Sequence, residues 1–307
     1  MKVTTQSPSL SPAAAPVAVS GKSWANVFCE LIKVRLTALV LLTTLVGFYM
    51  GSRGGIDYAL MLHALAATAL VACGASALNQ WWEREHDAHM RRTEDRPLPS
   101  GRMQPETVLI FGGASAVLGL AYLALMVNPL TALLGAVTLL TYVLIYTPLK
   151  RVTWLNTAIG AIPGALPPLM GWTAARANLS SEGWALFAIL FFWQIPHFLA
   201  IAWLYRDEYA KAGFVMLPGV DPGGGRTASQ AISHTLALLI TSLCPVVFHL
   251  AGVVYFAGAV LLGLAFFGFA VQFSRRLTLV QARQLFLMSI IYLPLLLGLM
   301  VFDKVRM

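Results

Sequence analysis

Residues 58–82 read YALMLHALAATALVACGASALNQWW and contain no charged side chain, whereas residues 83–102, EREHDAHMRRTEDRPLPSGR, are rich in acids and arginines. Because about 20 apolar residues in a helix cross ~30 Å of hydrocarbon, the first stretch predicts a membrane span and the second its water-facing end. The whole 307-residue chain has this character, with 58% hydrophobic and 11% charged residues, against roughly 25% charged in a soluble domain. We therefore predict an all-α polytopic membrane protein. The composition excludes a water-soluble enzyme, a disordered chain and a nucleic-acid-binding protein.

The uncharged stretches of the sequence predict how many helices cross the membrane. Five of them fit one helix each: 36–52, 58–82, 152–175, 183–205 and 284–302. Two are twice as long, 107–149 and 227–274, and we expect them to turn near Asn128-Pro129 and between His249 and Gly252. The pattern predicts nine transmembrane helices. The prolines of the fifth span, at 163, 167 and 168, predict an irregular helix there.

The distribution of Lys and Arg predicts the orientation of the chain. Seventeen of the 21 basic residues lie in the N-terminal segment and in the connections after even-numbered spans. Since Lys and Arg are enriched in cytoplasmic loops, we expect the N-terminus in the cytoplasm and the C-terminus on the opposite side. Residues 1–22, rich in Ser, Pro and Ala, are expected to form a disordered cytoplasmic tail, and residues 23–307 a single transmembrane domain.

The loop after the second span contains the most informative spacing. Asn79, Glu83 and Asp87 are separated by four residues each, so a helix that continues past the membrane places all three on one face. Oxygen ligands without cysteine suit a hard cation such as Mg²⁺. Arg92 and Arg96 follow, and guanidinium groups match phosphate oxygens. The spacing fits a Mg²⁺–diphosphate site, but the spacing alone favours the simpler alternative, a solvated helix end with i,i+4 ion pairs, because charged helix ends are common.

Polar residues near other cytoplasmic ends could join this site. The connection after the sixth span contains Arg206, Asp207, Glu208 and Lys211. It lies four spans after the first loop, which suggests two similar halves whose polar ends converge on one cavity. The short loop after the fourth span either reaches the same cavity or anchors its helix; it contains Tyr146, Lys150 and Arg151, with Asn156 just beyond.

One histidine lies in the middle of a predicted span. His197 follows Pro196 in the segment Trp193-Gln194-Ile195-Pro196-His197, and proline frees a backbone carbonyl inside a helix. An ionisable residue within the membrane is a functional candidate by default. The alternative is a histidine that is hydrogen-bonded to a helix carbonyl.

Taken together, these motifs resemble the intramembrane polyprenyltransferases of the UbiA superfamily over nearly the whole chain after the N-terminal tail. The first signature is Asn79, Glu83 and Asp87 with Arg92-Thr93 and Arg96-Pro97-Leu98-Pro99, although the superfamily usually has Asp where Glu83 stands. Its second signature, D-x-x-x-D, is replaced here by Asp207-Glu208-Tyr209. That departure is similar to the protohaem IX farnesyltransferase (haem O synthase) branch, as are three further segments: 146–151, 163–168 and 193–197.

The resemblance implies a nine-helix bundle in a bacterial inner membrane, with a central cavity open to the cytoplasm and to lipid. It implies farnesyl diphosphate and haem b as substrates, with Mg²⁺ as one or two ions. The product would be haem O for terminal oxidase assembly, and haem A synthase or the oxidase assembly machinery are the candidate partners. An aromatic (quinone-precursor) prenyltransferase of the same superfamily and a membrane transporter or lipid channel are the alternatives.

The resemblance also assigns roles to residues. Asn79, Glu83 and Asp87 would hold Mg²⁺, and Asp207 and Glu208 a second ion or a bridging water. The departing diphosphate would be neutralised by basic residues: Arg92, Arg96, Lys150, Arg151, Arg206 and Lys211. The substrate pocket would include Tyr146, Asn156, Trp193, His197 and Tyr209, with His197 orienting or ligating the haem iron.

Overall fold

The computed structural model describes residues 22–305, and within this range the regular secondary structure is helical. The helices are α1 Trp24–Leu31, α2 Val34–Gly51, α3 Tyr58–Asp87, α4 Pro105–Met126, α5 Pro129–Leu140, α6 Thr147–Leu149, α7 Asn156–Arg176, α8 Ser181–Leu204, α9 Arg206–Lys211, α10 Leu217–Val220, α11 Gly225–Thr241, α12 Cys244–Val247, α13 Val253–Arg276 and α14 Leu279–Phe302. A π-helical segment, Thr141–Tyr146, joins α5 to α6. The predicted all-α architecture is confirmed.

Eight helical spans within residues 22–305 are long and apolar enough to cross a membrane, with α5 to α6 counted as one span and α11 to α12 as another. Helix α7 has 21 residues, which is long enough, but it is not among these eight. The number of nine crossings therefore stays a prediction. The expected turns are present: α4 ends at Met126 before α5 begins at Pro129, and α12 ends at Val247 before α13 begins at Val253.

Helix α7 is the buried centre of the bundle and packs against α2 and α8. It is continuous although Pro163, Pro167 and Pro168 lie inside it, so the irregular helix predicted from these prolines is absent. The departure from α-helical geometry lies instead in the π-helical segment before α6, which contains no proline. All three prolines are buried, and close packing by the neighbours offsets the backbone donors that they lack. A Cβ atom on Gly47 of α2 would lie 1.9 Å from the Pro168 carbonyl oxygen, so the two helices touch backbone to backbone.

Residues near the C-terminus close the side of the bundle where α2 ends. Lys304 Nζ donates hydrogen bonds to the carbonyl oxygens of Tyr49 (2.5 Å) and Ser52 (2.9 Å). The Asp303 carboxylate accepts the backbone N–H of Tyr255 at the start of α13, at 2.7 Å. These contacts tie α14 to α2 and α13 at one end, opposite the charged loops.

The predicted N-terminal tail lies outside the described residues except for Lys22. The Lys22 ammonium pairs with Glu30 and with Asp95 of the loop after α3, each at 2.5 Å. These ion pairs therefore hold the start of the described chain against the loop after α3, which contains the arginines.

Candidate active site

Helix α3 presents Asn79, Glu83 and Asp87 on one face, as their spacing predicts. We call these three residues the α3 oxygen face. All are buried, with 0%, 5% and 2% of their surface exposed, and all line one cavity of about 250 Å³, the polar cavity. Its other walls combine basic and aromatic side chains: Lys33, Arg92, Arg96, Tyr146, Lys150, Phe198, Tyr209 and Phe214.

Each member of the oxygen face is bonded to a different cation. Lys33 Nζ donates to Asn79 Oδ1 at 2.6 Å, and Lys150 Nζ donates to Glu83 Oε1 at 2.8 Å. Arg96 Nη1 donates to Asp87 Oδ2 at 2.5 Å. The cations come from the α1–α2 junction, the loop after α6 and the loop after α3. Because an unpaired buried charge is costly, these contacts give each of the two buried carboxylates a basic partner.

Two lysines of the cavity differ in how readily they keep their proton. Burial and, after it, the nearby Arg96 charge lower the pKa of Lys33 to about 7. Burial acts in the same direction on Lys150, but the Glu83 carboxylate and the Tyr146 ring outweigh it and raise the pKa of Lys150. Lys150 is therefore a fixed cation, while Lys33 is near its point of proton loss until an anion binds beside it.

The π-helical segment fixes the orientation of Asn79. Thr147, the first residue after the segment, donates its hydroxyl to the Tyr142 carbonyl oxygen, five residues earlier, at 2.8 Å. The same hydroxyl oxygen accepts Asn79 Nδ2 at 3.1 Å. With its amide nitrogen held in this way, Asn79 turns its Oδ1 atom to Lys33 and the cavity.

A second cavity of about 250 Å³ adjoins the first and is almost entirely apolar. We call it the apolar cavity; it runs between α2, α3, α5 and α7, past side chains such as Val40, Val71 and Met170. The two cavities share Leu36, Tyr146 and Phe198. Leu36 lines both yet is 49% exposed, so the cavities open sideways beside the start of α2. A charged head and a long apolar chain of one molecule would fit across this junction.

Some of the predicted site residues lie elsewhere. Those that line the polar cavity are Asn79, Glu83, Asp87, Arg92, Arg96, Tyr146, Lys150 and Tyr209. Those that line neither cavity are Arg151, Asn156, Trp193, His197, Arg206, Asp207, Glu208 and Lys211. The structure therefore joins the first signature to Lys150 but does not bring the second acidic pair into the same cavity.

Local structure explains the separation of the second loop. Helix α9 buries none of its residues, and the Asp207 side chain is 86% exposed beside Arg206. Asn156 instead bonds backbone carbonyl groups, of Thr153 at 2.6 Å and Val215 at 2.8 Å. Among residues 22–305 no three His, Cys, Asp or Glu side chains cluster closely enough to hold a metal ion, so the oxygen face, two carboxylates and an amide, is the best-fitting donor set.

Sequence reasoning missed two polar residues of the site, Lys33 and Thr147. Lys33 counts in the sequence only as one of many cytoplasmic charges. Its position just before an uncharged stretch that begins at 36 could have suggested a lysine at the mouth of the bundle. Nothing in the sequence around Thr147 signals the π turn that directs its hydroxyl.

The sequence and the fold place the chain in a known class of membrane enzyme. The UbiA prenyltransferase family matches residues 40–293, and the chain belongs to that family. It is an intramembrane prenyltransferase, and the transporter alternative is set aside.

Two individual relatives are similar to this chain over most of its length. A protein named protoheme IX farnesyltransferase from Solibacter usitatus is 46% identical over 286 residues, covering 90% of this chain and 98% of that protein. One of the same name from Myxococcus xanthus is 46% identical over 279 residues, covering 90% and 94%.

Solved structures share the fold at low identity. A digeranylgeranylglyceryl phosphate synthase structure has a TM-score of 0.78 at 18% identity, covering 91% of this chain and 98% of that one. A UbiA homologue from Archaeoglobus fulgidus bound to DMAPP and Mg²⁺ has a TM-score of 0.62 at 16% identity, covering 89% and 98%. These similarities show that the chain shares its fold with the two solved structures.

Proposed function

We propose that this chain transfers a farnesyl group from farnesyl diphosphate to a vinyl group of haem b, with addition of water, to give haem O for terminal oxidase assembly. The observation that carries the proposal is the α3 oxygen face, buried among cations at the junction of a polar and an apolar cavity. The name shared by the relatives from Solibacter usitatus and Myxococcus xanthus supports haem as the acceptor.

The oxygen face fits a Mg²⁺ ion because its donors are carboxylate and amide oxygens, the ligands that this cation prefers. Asn79, Glu83 and Asp87 would hold the ion, which supplies positive charge to the diphosphate when bound. We propose a single such site, because Asp207 and Glu208 line neither cavity. A second ion on that acidic pair lacks this support.

The basic residues of the polar cavity would bind the diphosphate oxygens. Lys33, Arg96 and Lys150 are already held there by the oxygen face, so they are positioned before substrate arrives. Arg92 adds a guanidinium that donates to Tyr209 Oη at 3.2 Å. Arg151, Arg206 and Lys211 lie outside the cavity, and we assign them the attraction of anionic substrates to the cytoplasmic rim.

The reaction follows from these positions. The bond between C1 of the farnesyl chain and the diphosphate oxygen breaks, and its electron pair leaves with the diphosphate. The vinyl π electrons of haem b form a carbon–carbon bond to C1. Water then bonds to the carbon left electron-poor beside the porphyrin and releases a proton, which gives a hydroxyethylfarnesyl group. The apolar cavity shields the allylic cation from premature attack by water.

We also propose that the enzyme is a single catalytic domain over 23–307 in a bacterial inner membrane, with the N-terminus cytoplasmic and the C-terminus periplasmic. The enrichment of basic residues on one side supports this orientation. Haem A synthase or the oxidase assembly machinery would then receive haem O.

The test is to incubate the purified chain in nanodiscs with haem b, farnesyl diphosphate and Mg²⁺ and to analyse the products by mass spectrometry. We expect a haem that is heavier by farnesyl plus water, lost when EDTA replaces Mg²⁺. A parallel reaction offers 4-hydroxybenzoate as acceptor. Prenylation of 4-hydroxybenzoate without modification of haem would overturn the proposal in favour of a quinone precursor.

A further inference from the structure

The apolar cavity has a polar end and a deep end. At the polar end it shares Tyr146 and Phe198 with the polar cavity. At the deep end its walls include Thr68 of α3 and Met170 of α7, whose exposed fractions are 3% and 2%. Met170 packs in one buried cluster with Ala67, the residue before Thr68, so the two walls meet there. A chain whose head lies in the polar cavity therefore has its far end beside Thr68 and Met170.

Packed side chains close the deep end behind Met170. The same buried cluster contains Leu123 and Leu134. A Cβ atom on Gly135 of α5 would lie 3.4 Å from Met170 Cε, and Thr138 Oγ1 lies 3.8 Å from Met170 Sδ. Helix α5 therefore contacts the end of the Met170 side chain, and this side chain forms the floor of the apolar cavity.

Helix geometry gives the depth of the cavity. The Tyr146 ring, at the polar end, lies against Gly160 of α7, where an added Cβ atom would be 2.5 Å from it. Met170 follows Gly160 by ten residues, which is about 15 Å at ~1.5 Å per residue. On α3, Thr68 precedes Asn79 by eleven residues, which is about 16 Å. The two walls therefore agree on the distance from the α3 oxygen face to the floor.

This depth matches a prenyl chain of three isoprene units. The main chain of a farnesyl group has twelve carbons, and bonds of ~1.5 Å in a zigzag extend it to roughly 14 Å. A fourth unit adds four bonds, or roughly 5 Å, and would need the space that the Met170 side chain occupies. A geranyl chain, with two units, would stop short of the floor and bury less apolar surface.

We propose that the depth of the apolar cavity selects the prenyl donor by its length, and that Met170 is the specificity-determining residue that limits the chain to three isoprene units. This inference deepens the proposed function and rests on it for the position of the donor, with the diphosphate in the polar cavity. It assigns the choice of donor to the floor between α5 and α7, away from the α3 oxygen face.

The experiment gives the full chain in nanodiscs haem b, Mg²⁺ and an equimolar mixture of geranyl, farnesyl and geranylgeranyl diphosphates. Mass spectrometry measures the ratio of the prenylated haems. The wild type should transfer farnesyl about tenfold or more in preference to geranylgeranyl, as expected for the fit of a chain in an apolar pocket. Met170→Ala lowers the floor and should raise the ratio of geranylgeranyl to farnesyl product about tenfold.

A control variant separates cavity depth from loss of stability. Leu169→Ala removes a side chain of the same buried cluster that lines neither cavity, so it should keep the wild-type product ratio. Where Met170→Ala does not fold, Met170→Val, which shortens the side chain less, should shift the ratio in the same direction. Three results would overturn the inference: a wild type that transfers geranylgeranyl as readily as farnesyl, an unchanged ratio in the Met170 variant, or an equal shift in Leu169→Ala.

Binding of the donor separates this inference from the proposed function. Calorimetry with the S-thiolo analogues of farnesyl and geranylgeranyl diphosphate, with Mg²⁺ and without haem, measures the fit of the chain alone. If the wild type prefers the farnesyl analogue, Met170→Ala loses that preference and haem stays unmodified, the proposed acceptor fails and the selection by length stands. If the wild type binds both analogues equally, the selection by length fails, even where haem is farnesylated.

Discussion

Lys33 shows how a single residue acquires a role that its sequence context hides. It lies between α1 and α2 with a left-handed backbone, φ 49°, and its ammonium reaches across to Asn79. Burial holds the pKa of Lys33 at about 7, so the free energy of keeping it charged depends on a nearby anion. A diphosphate in the polar cavity is such an anion.

We expect Lys33→Met to raise the KM for farnesyl diphosphate by about 10- to 100-fold, because a hydrogen bond to a charged group contributes about 1.5–3 kcal/mol and each factor of ten is about 1.4 kcal/mol. Steady-state kinetics measures it. Arg35→Met removes an equal charge from an exposed position two residues on and should leave KM unchanged. Equal KM values for Lys33→Met and wild type would remove Lys33 from the diphosphate site.

At the scale of elements, the contact between α2 and α7 depends on glycine. A Cβ atom on Gly47 would lie 1.9 Å from the Pro168 carbonyl oxygen, and one on Gly171 would lie 1.9 Å from that of Thr44. Small residues let membrane helices approach closely enough for van der Waals packing. The same pair of helices forms walls of the apolar cavity, so their spacing also sets its width.

Gly47→Ala should therefore lower the melting temperature of the detergent-solubilised protein, since α2 must move away from α7 to admit the methyl group. Gly113→Ala is the matched control in α4, where an added Cβ meets no atom within 4 Å. It should leave stability unchanged or raise it by about 0.5–1 kcal/mol, because alanine costs less backbone entropy than glycine in a helix. A Gly47→Ala protein as stable as Gly113→Ala would show that the bundle tolerates a wider gap.

The limits of prediction from sequence are also clearest at this scale. The α3 oxygen face was predictable because its residues share one helix, whose periodicity relates them directly. The breaks at Asn128-Pro129 and before Val253 were likewise local signals. Lys150 pairs with Glu83 although 67 residues separate them. Only tertiary packing determines that Lys150 reaches the polar cavity and that Asp207 does not. The continuity of α7 through its prolines is also a packing effect.

The two ends of the helix bundle differ: contacts of the C-terminal residues hold one end together, and the opposite, charged end is open. Lys304 and Asp303 bind α14 to α2 and α13 at one end, while at the other the first residues of α2 are exposed and Leu36 borders both cavities. An amphiphile can then enter sideways with its head at the charged rim. The same asymmetry makes the orientation in the membrane a testable property.

Fusions to the C-terminus test the orientation and the number of crossings together. If α7 crosses in addition to the eight apolar spans, the termini lie on opposite sides. We then expect alkaline phosphatase at the C-terminus to be active and green fluorescent protein there to be dark, with the reverse for fusions at the N-terminus. If green fluorescent protein were fluorescent at both termini, both would face the cytoplasm and the number of crossings would be even, which would contradict the prediction.

The most direct test of the central claim is the rate of haem farnesylation in single carboxylate variants of α3. Glu83→Gln and Asp87→Asn keep the shape of the buried side chains but remove the charges that would hold Mg²⁺. Glu85→Gln is the control on the same helix, with a side chain that is 77% exposed. We expect at least 100-fold loss of turnover in the first two variants, with normal membrane insertion, and wild-type turnover in the third. Near-normal turnover in Asp87→Asn would contradict the account.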